Sequence, residues 1–121
     1  MWLMVAWLAL ALVHTPPALA TFSQRLRKQM YGAEGSGSLD LILVHRGVLF
    51  LAVVSVCVLA AFHSSARTAA ALVTSISVLG FLSAYVTQGA PKRLRTIALA
   101  DAVALLPLAI VCFDVWASLT A

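Results

Sequence analysis

Leu41-Ile42-Leu43-Val44-His45-Arg46-Gly47-Val48-Leu49-Phe50-Leu51-Ala52-Val53-Val54-Ser55-Val56-Cys57-Val58-Leu59-Ala60-Ala61-Phe62 is an apolar run broken only by the pair His45-Arg46 and a few small residues. A helix rises about 1.5 Å per residue, so a run of about 20 residues matches the roughly 30 Å hydrocarbon core of a bilayer. Working outward, similar runs cover 2–20, 68–88 and 94–119. Backbone groups in lipid must find partners inside their own segment, and these runs lack the apolar/polar alternation of barrel strands. The expected fold is therefore all-α: one integral membrane domain over residues 1–121, a four-helix transmembrane bundle.

Composition excludes the alternative. Hydrophobic residues make up 63% of the 121-residue chain and charged residues 10%, where soluble domains carry about 25% charge. A water-soluble surface cannot be assembled from so little polar material. The net charge of +4 comes from eight basic and four acidic residues. The basic residues fall mainly between the apolar runs, as cytoplasmic retention signals do, and no groove-reading motif accompanies them. The implied partner is the lipid bilayer, not nucleic acid.

The connections differ in character. Residues 21–40 begin with a basic, potentially amphipathic piece (Phe22, Arg25, Leu26, Arg27, Lys28, Met30) and continue into the Gly/Ser run Gly32-Ala33-Glu34-Gly35-Ser36-Gly37-Ser38. This pattern predicts a short surface helix followed by a hinge. His63 to Arg67 reads as a tight turn, and Gly89-Ala90-Pro91-Lys92-Arg93 as a punctuated loop. Ala18-Leu19-Ala20 has the small-residue form of a signal cleavage site. Charge argues for retention instead. With both termini outside, Arg25, Arg27, Lys28, Arg46, Lys92, Arg93 and Arg95 lie on or near the cytoplasmic side, leaving Arg67 outside.

That topology predicts a polar layer. Measured from the cytoplasmic helix ends, His14 lies roughly 10 Å deep on the first spanning helix, and His45 and Arg46 lie roughly 7 to 9 Å deep on the second. Asp101 reaches a similar depth on the fourth, and the third delivers Ser83, Tyr85 and Thr87 to the same half. Ionisable groups facing lipid cost about 2.5 to 3.5 kcal/mol at a helix centre, so they should turn inward and pair, Arg46 with Asp101. The pair either fixes helix register or, with His14, His45 and Tyr85, forms a ligand or proton site. His63, Arg67 and Asp114 read as residues of the outer interface.

Four further readings concern packing. Ser75, Ser77, Gly80 and Ser83 have the spacing of a close-approach stripe. Pro107 should bend the last helix. Trp2 and Trp116 fit an aromatic belt. Cys57 and Cys112 fall at similar depth, either as buried free thiols or as a disulfide.

Met30-Tyr31-Gly32, Asp40, Val44-His45-Arg46-Gly47-Val48-Leu49-Phe50, Ser77-Val78-Leu79-Gly80-Phe81-Leu82 and Leu94-Arg95-Thr96-Ile97-Ala98-Leu99-Ala100-Asp101-Ala102-Val103-Ala104-Leu105 together resemble a family of small four-helix bacterial inner-membrane proteins of unassigned function. The resemblance covers roughly Met30 to the end. It implies a multi-pass protein of the bacterial inner (cytoplasmic) membrane, with His45, Arg46 and Asp101 as family features. Such chains sometimes carry the label phosphopantetheine adenylyltransferase, which the residues do not support. That chemistry uses a His-x-Gly-His loop in a parallel α/β domain, whereas His45-Arg46-Gly47-Val48 lacks the second His and sits in an apolar helix.

The sequence contains no Ser/His/Asp set, phosphate loop, metal cluster or cofactor signature. It therefore leans away from an enzyme, and no cofactor or metal is expected. The leading expectation is a non-catalytic accessory subunit or a lipid- or apolar-ligand-binding bundle, working as a homodimer or in a larger membrane assembly. The alternative is a small homodimeric proton-coupled transporter, although small multidrug-resistance carriers use a membrane Glu where the first helix here has only His14. A quinone-linked membrane enzyme, with His and Arg holding a carbonyl and Tyr85 supplying a proton, ranks behind both.

Overall fold

The computed structural model describes residues 1–31 and 37–121, with the side chains of Met30, Tyr31, Leu39, Asp40 and Arg93 outside the description. Most of the Gly/Ser hinge, Gly32 to Ser36, therefore lies outside the described residues. Every regular element described is helical. They are α1 (Trp2–Leu19), α2 (Gln24–Tyr31), α3 (Gly37–Phe62), α4 (Arg67–Thr87) and α5 (Arg95–Thr120), with single 3₁₀ turns at Ser64–Ala66 and Lys92–Leu94.

Four helical spans are long and apolar enough to cross a membrane: Trp2–Leu19, Leu41–Phe62, Ser64–Thr87 and Arg95–Thr120. These match the four apolar runs to within a residue at each end, except that the third span begins four residues earlier, at Ser64, and that helix α3 itself starts four residues before Leu41. The 26 residues of α3 and of α5 correspond to about 39 Å of helix, longer than the hydrocarbon core. The basic piece forms α2, capped by Ser23, whose Oγ accepts the backbone N–H of Leu26 at 3.1 Å.

The spanning helices form a ring in which α1 packs on α3 and α5, and α4 packs on α5 and α3. One stripe of each faces inward. On α1 it is Ala6, Trp7, Leu10, Ala11, His14, Pro17 and Ala18, at intervals of one and three residues that keep to one side of the helix. Ala60, Ala70 and Ala104, from three different helices, are completely buried. Lipid tails supply no hydrophobic drive between helices, so close backbone approach across such small side chains is what holds them. The opposite faces expose Leu72, Ile76, Val103, Leu106, Phe113 and other large apolar side chains, as a lipid-facing surface requires.

Several local expectations change. The buried face of α4 is Ala70, Ala71, Thr74 and Val78, not the Ser75/Ser77/Gly80/Ser83 stripe. Gly80 is exposed, with nothing within 4 Å of where a Cβ would stand. The glycine that does permit close approach is Gly47 on α3, where an added Cβ would collide with Thr21 Oγ1 and lie 3.0 Å from the Thr21 nitrogen. Both cysteines are free. Cys57 Sγ contacts Thr74 Oγ1 at 3.3 Å, and Cys112 Sγ contacts Ser75 Oγ at 3.4 Å. Trp2 and Trp116 are exposed, whereas Trp7 is fully buried in the core.

Two arginines close helix ends. Arg27 on α2, only 7% exposed, donates from Nη1 to the carbonyls of Ala20 at 2.7 Å and Thr21 at 3.1 Å. It satisfies carbonyls that have no helical donor ahead of them and complements the negative helix end. Arg67 does the same for α3, donating from Nε to Ala60 O at 3.1 Å. Helix α4 ends differently. Gly89, at φ +87°, lets Ala90 N–H reach Tyr85 O at 2.9 Å and Gly89 N–H reach Val86 O at 3.3 Å, the paired bonds of a Schellman motif.

Candidate functional site

The site begins where α1 changes its hydrogen bonding. Pro16 and Pro17 lie inside that helix, and neither has an N–H, so the carbonyls of Leu12 and Val13 lose their usual helical donors. The preceding carbonyls gain side-chain partners: Thr15 Oγ1 donates to Ala11 O at 2.7 Å, and His14 Nδ1 meets Leu10 O at 2.8 Å. A carbonyl can only accept, so His14 Nδ1 carries the proton and the Nε2 of the neutral ring presents a lone pair. His14 is 1% exposed, and Nε2 has no hydrogen-bond partner among the described residues.

From His14 a row of rings and one cation crosses the bundle. The imidazole lies against Phe50 of α3, centroids 5.7 Å apart. The guanidinium carbon of Arg46, one turn earlier on α3, stands 5.2 Å from the Phe50 centroid and 5.0 Å from that of Phe81 on α4. Phe81 in turn stacks with Tyr85 at 6.1 Å. A guanidinium over an aromatic face is attracted by the ring quadrupole, by about 0.5–1 kcal/mol when exposed and about 2 when desolvated. Two faces thus hold Arg46 in the apolar layer.

Asp101 completes the layer from α5. Its side chain is on the buried stripe, 6% exposed. Among the described residues, however, no side chain or backbone donor is hydrogen-bonded to the carboxylate. The carboxylate instead borders a cavity of 370 Å³ between α1, α2 and α5, whose other walls include Val13 and Pro17, Leu26 and Gln29, and Thr96. A second, more open groove of 430 Å³ lies between α3 and α4, with Arg46, Phe50 and Phe81 at one end and Val53 and Val73 along it. The two charged residues of the layer thus border separate spaces.

Of the five expected residues, His14, Arg46 and Tyr85 are connected through Phe50 and Phe81, while Asp101 faces inward from α5 without a hydrogen bond to any of them, so the expected direct Arg46–Asp101 pairing is not formed. His45 stands apart: it is exposed on α3, away from the inward stripe. Ser83 and Thr87 are exposed as well, with Thr87 Oγ1 bonded to its own helix at Ser83 O, 2.9 Å. Sequence reasoning missed Phe50 and Phe81, the rings that connect the layer. The signal was present, since Phe50 stands four residues after Arg46 and Phe81 four before Tyr85, the spacing at which helical side chains meet. Among the described residues no three His, Cys, Asp or Glu side chains converge.

The site can therefore hold opposite charges apart in an apolar frame and offer unused acceptors to a cavity. No family model, curated protein or solved structure matches the chain, and the functional reading rests on this geometry.

Proposed function

We propose that the protein is a non-catalytic, multi-pass binding bundle of the bacterial inner membrane, with both termini outside, and that it holds an apolar ligand in the cavity between α1, α2 and α5. The observation that carries the proposal is Asp101. A carboxylate removed from solvent usually accepts several hydrogen bonds, because leaving those lone pairs empty is costly. Here they face a 370 Å³ space with largely apolar walls, within the 300–1,000 Å³ range of small-molecule sites. The basic residues of the α1–α2 and α4–α5 connections support the orientation.

Native mass measurement from mild detergent tests the reading. The wild type should retain one small apolar ligand, and Ile97→Trp, which fills the cavity from its α5 wall, should release it. Bare chain mass for both proteins, under conditions that preserve the bundle, would overturn the proposal.

A second reading, a homodimeric proton-coupled carrier, draws on the two separate spaces bordered by Asp101 and Arg46, an arrangement static binding does not require. Uptake into proteoliposomes driven by a pH gradient and abolished by Asp101→Asn would favour it. An absence of uptake across a panel of amphiphiles would remove it.

A further inference from the structure

Asp101 is 6% exposed, and among the described residues no hydrogen bond or ion pair reaches its carboxylate. The polar side-chain atoms sealed in the interior without a partner are Trp7 Nε1 and His14 Nε2. The Asp101 oxygens are not among them, so the little surface they keep opens into the 370 Å³ cavity that Asp101 lines. An ionised carboxylate in an apolar setting calls for donors or a counter-ion. Arg46 does not stand in that position: its guanidinium is held at Phe50 and Phe81 and borders the other groove, between α3 and α4. Arg27 turns its Nη1 to Ala20 and Thr21. Arg25, Lys28, Lys92 and Arg95 are exposed and lie outside the cavity wall, where water and salt screen them. The donor that Asp101 calls for is one that enters the cavity.

The rest of the lining narrows the chemistry of that donor. Val13, in the α1 wall, contributes a carbonyl from which Pro17 has removed the usual helical donor, and Gln29 from α2 and Thr96 from α5 carry side-chain oxygens that accept. A hydroxyl would donate one hydrogen bond to a carboxylate that offers about four lone-pair positions, whereas an ammonium donates up to about three and carries the opposite charge. Hydrogen bonds between ionised groups are about twice as strong as neutral ones. A quaternary ammonium has no N–H and is ordinarily held over aromatic faces, and the described lining contains no aromatic residue. A hard metal ion takes about six oxygen ligands, more than a single carboxylate set among Val13, Pro17, Leu26 and Ile97 can gather. An aminophospholipid headgroup would bring a phosphate, close to its nitrogen, against the same apolar walls. A protonated amine on a hydrocarbon body meets none of these objections.

Resting on the binding reading above, we propose that the cavity between α1, α2 and α5 is a site for a protonated hydrocarbon amine, its ammonium donating to Asp101 and to the Val13 carbonyl or the Thr96 hydroxyl, its hydrocarbon lying against Pro17, Leu26 and Ile97. The volume of 370 Å³ equals that of roughly a dozen water molecules at about 30 Å³ each, so the recognised part of the ligand has on the order of ten non-hydrogen atoms.

Photolabelling of the full chain in phosphatidylcholine nanodiscs at neutral pH, where an alkylamine holds its proton as lysine does, tests this with diazirine derivatives of octylamine and of octane. The octylamine probe should label peptides of α1, α2 and α5 at the cavity. Unlabelled octylamine should compete better than 1-octanol, octanoate or octyltrimethylammonium by about tenfold or more, the worth of one hydrogen bond to a charged group. Asp101→Asn, which keeps the shape of the side chain, should erase that advantage. Thr96→Val, near the start of α5, should weaken octylamine competition severalfold, so the test survives if the Asp101 variant does not fold. Competition by 1-octanol equal to or better than that of octylamine, or indifference to both substitutions, overturns the amine while leaving an apolar-ligand site standing. Preference for octanoate or octyltrimethylammonium overturns it in favour of that head group, and loss of labelling when phosphatidylethanolamine replaces phosphatidylcholine overturns it in favour of the lipid's own amine. No cavity labelling by either probe overturns both this inference and the binding reading.

Discussion

Replacing Gly47 and Gly80 by alanine, one at a time, should move stability in opposite directions. Both glycines lie inside spanning helices, where alanine is favoured over glycine by about 1 kcal/mol of backbone entropy. At Gly80 nothing lies within 4 Å of the new methyl, so the whole of that gain should appear. At Gly47 the methyl meets three atoms of Thr21: the hydroxyl, which can rotate, but also the backbone nitrogen at 3.0 Å and the Cβ at 3.1 Å, which cannot. Thr21 is pinned in turn, its carbonyl by Arg27 and its hydroxyl by Val44 O at 3.4 Å. Overpacking of this kind costs about 1–3 kcal/mol, which exceeds the helical gain across most of its range. We expect Gly80→Ala to stabilise by up to about 1 kcal/mol and Gly47→Ala, once the helical gain is subtracted from the overpacking cost, to destabilise by up to about 2 kcal/mol. Unfolding of the purified protein in mixed micelles by increasing SDS, followed by far-UV circular dichroism, measures both. If the two variants shift the same way, the assignment of the close contact to α3 rather than α4 is wrong.

Arg46→Ala should cost about 0.5–2 kcal/mol, because it empties the faces of Phe50 and Phe81, while Asp101→Asn should cost less; negligible change in both, by the same unfolding assay, would mean that the layer contributes no stability. Arg27→Ala should destabilise by about 1.5–3 kcal/mol through the loss of its charged bonds to Ala20 and Thr21, whereas Arg25→Ala, at an exposed position, should be near neutral. A phosphatase reporter fused after Ala121 should be active and a fluorescent protein dark if the C-terminus is periplasmic; the reverse pattern inverts the proposed orientation.

The fold was legible because the bilayer simplifies the problem. A run such as 41–62 can be satisfied in lipid only as a helix, so length and hydropathy locate each element to within a few residues. What hydropathy does not record is rotation. His45 and Arg46 are adjacent and equally polar, yet about 100° apart around α3, and only Arg46 turns toward Phe50 and Phe81. The stripe Leu43, Gly47, Phe50, Val53, Cys57 and Ala60 would have placed His45 outside, had small residues been weighed as inward-facing. The same error in reverse put Gly80 in a seam. The capping role of Arg27 was hidden for a related reason. A basic residue beside a membrane segment counts equally as a topology signal whether it faces water or, as here, reaches carbonyls at a helix end. The cavity was not legible at all, since it arises from α1, α2 and α5 meeting around Asp101, and no local pattern reports such a meeting.

The alanine seams have a consequence for which substitutions the protein can absorb. Where Ala60, Ala70 and Ala104 stand fully enclosed, steric bulk and not polarity becomes the limiting quantity: serine, one atom larger and able to bond back to its own helix, fits a site that valine or leucine forces open. The usual rule for protein interiors, that aliphatic exchanges are safe and hydroxyls are harmful, is thereby inverted along these contacts. Variation at these interior positions should run toward glycine and serine, and the large aliphatic exchanges should collect on the outward faces, where lipid makes room for any shape.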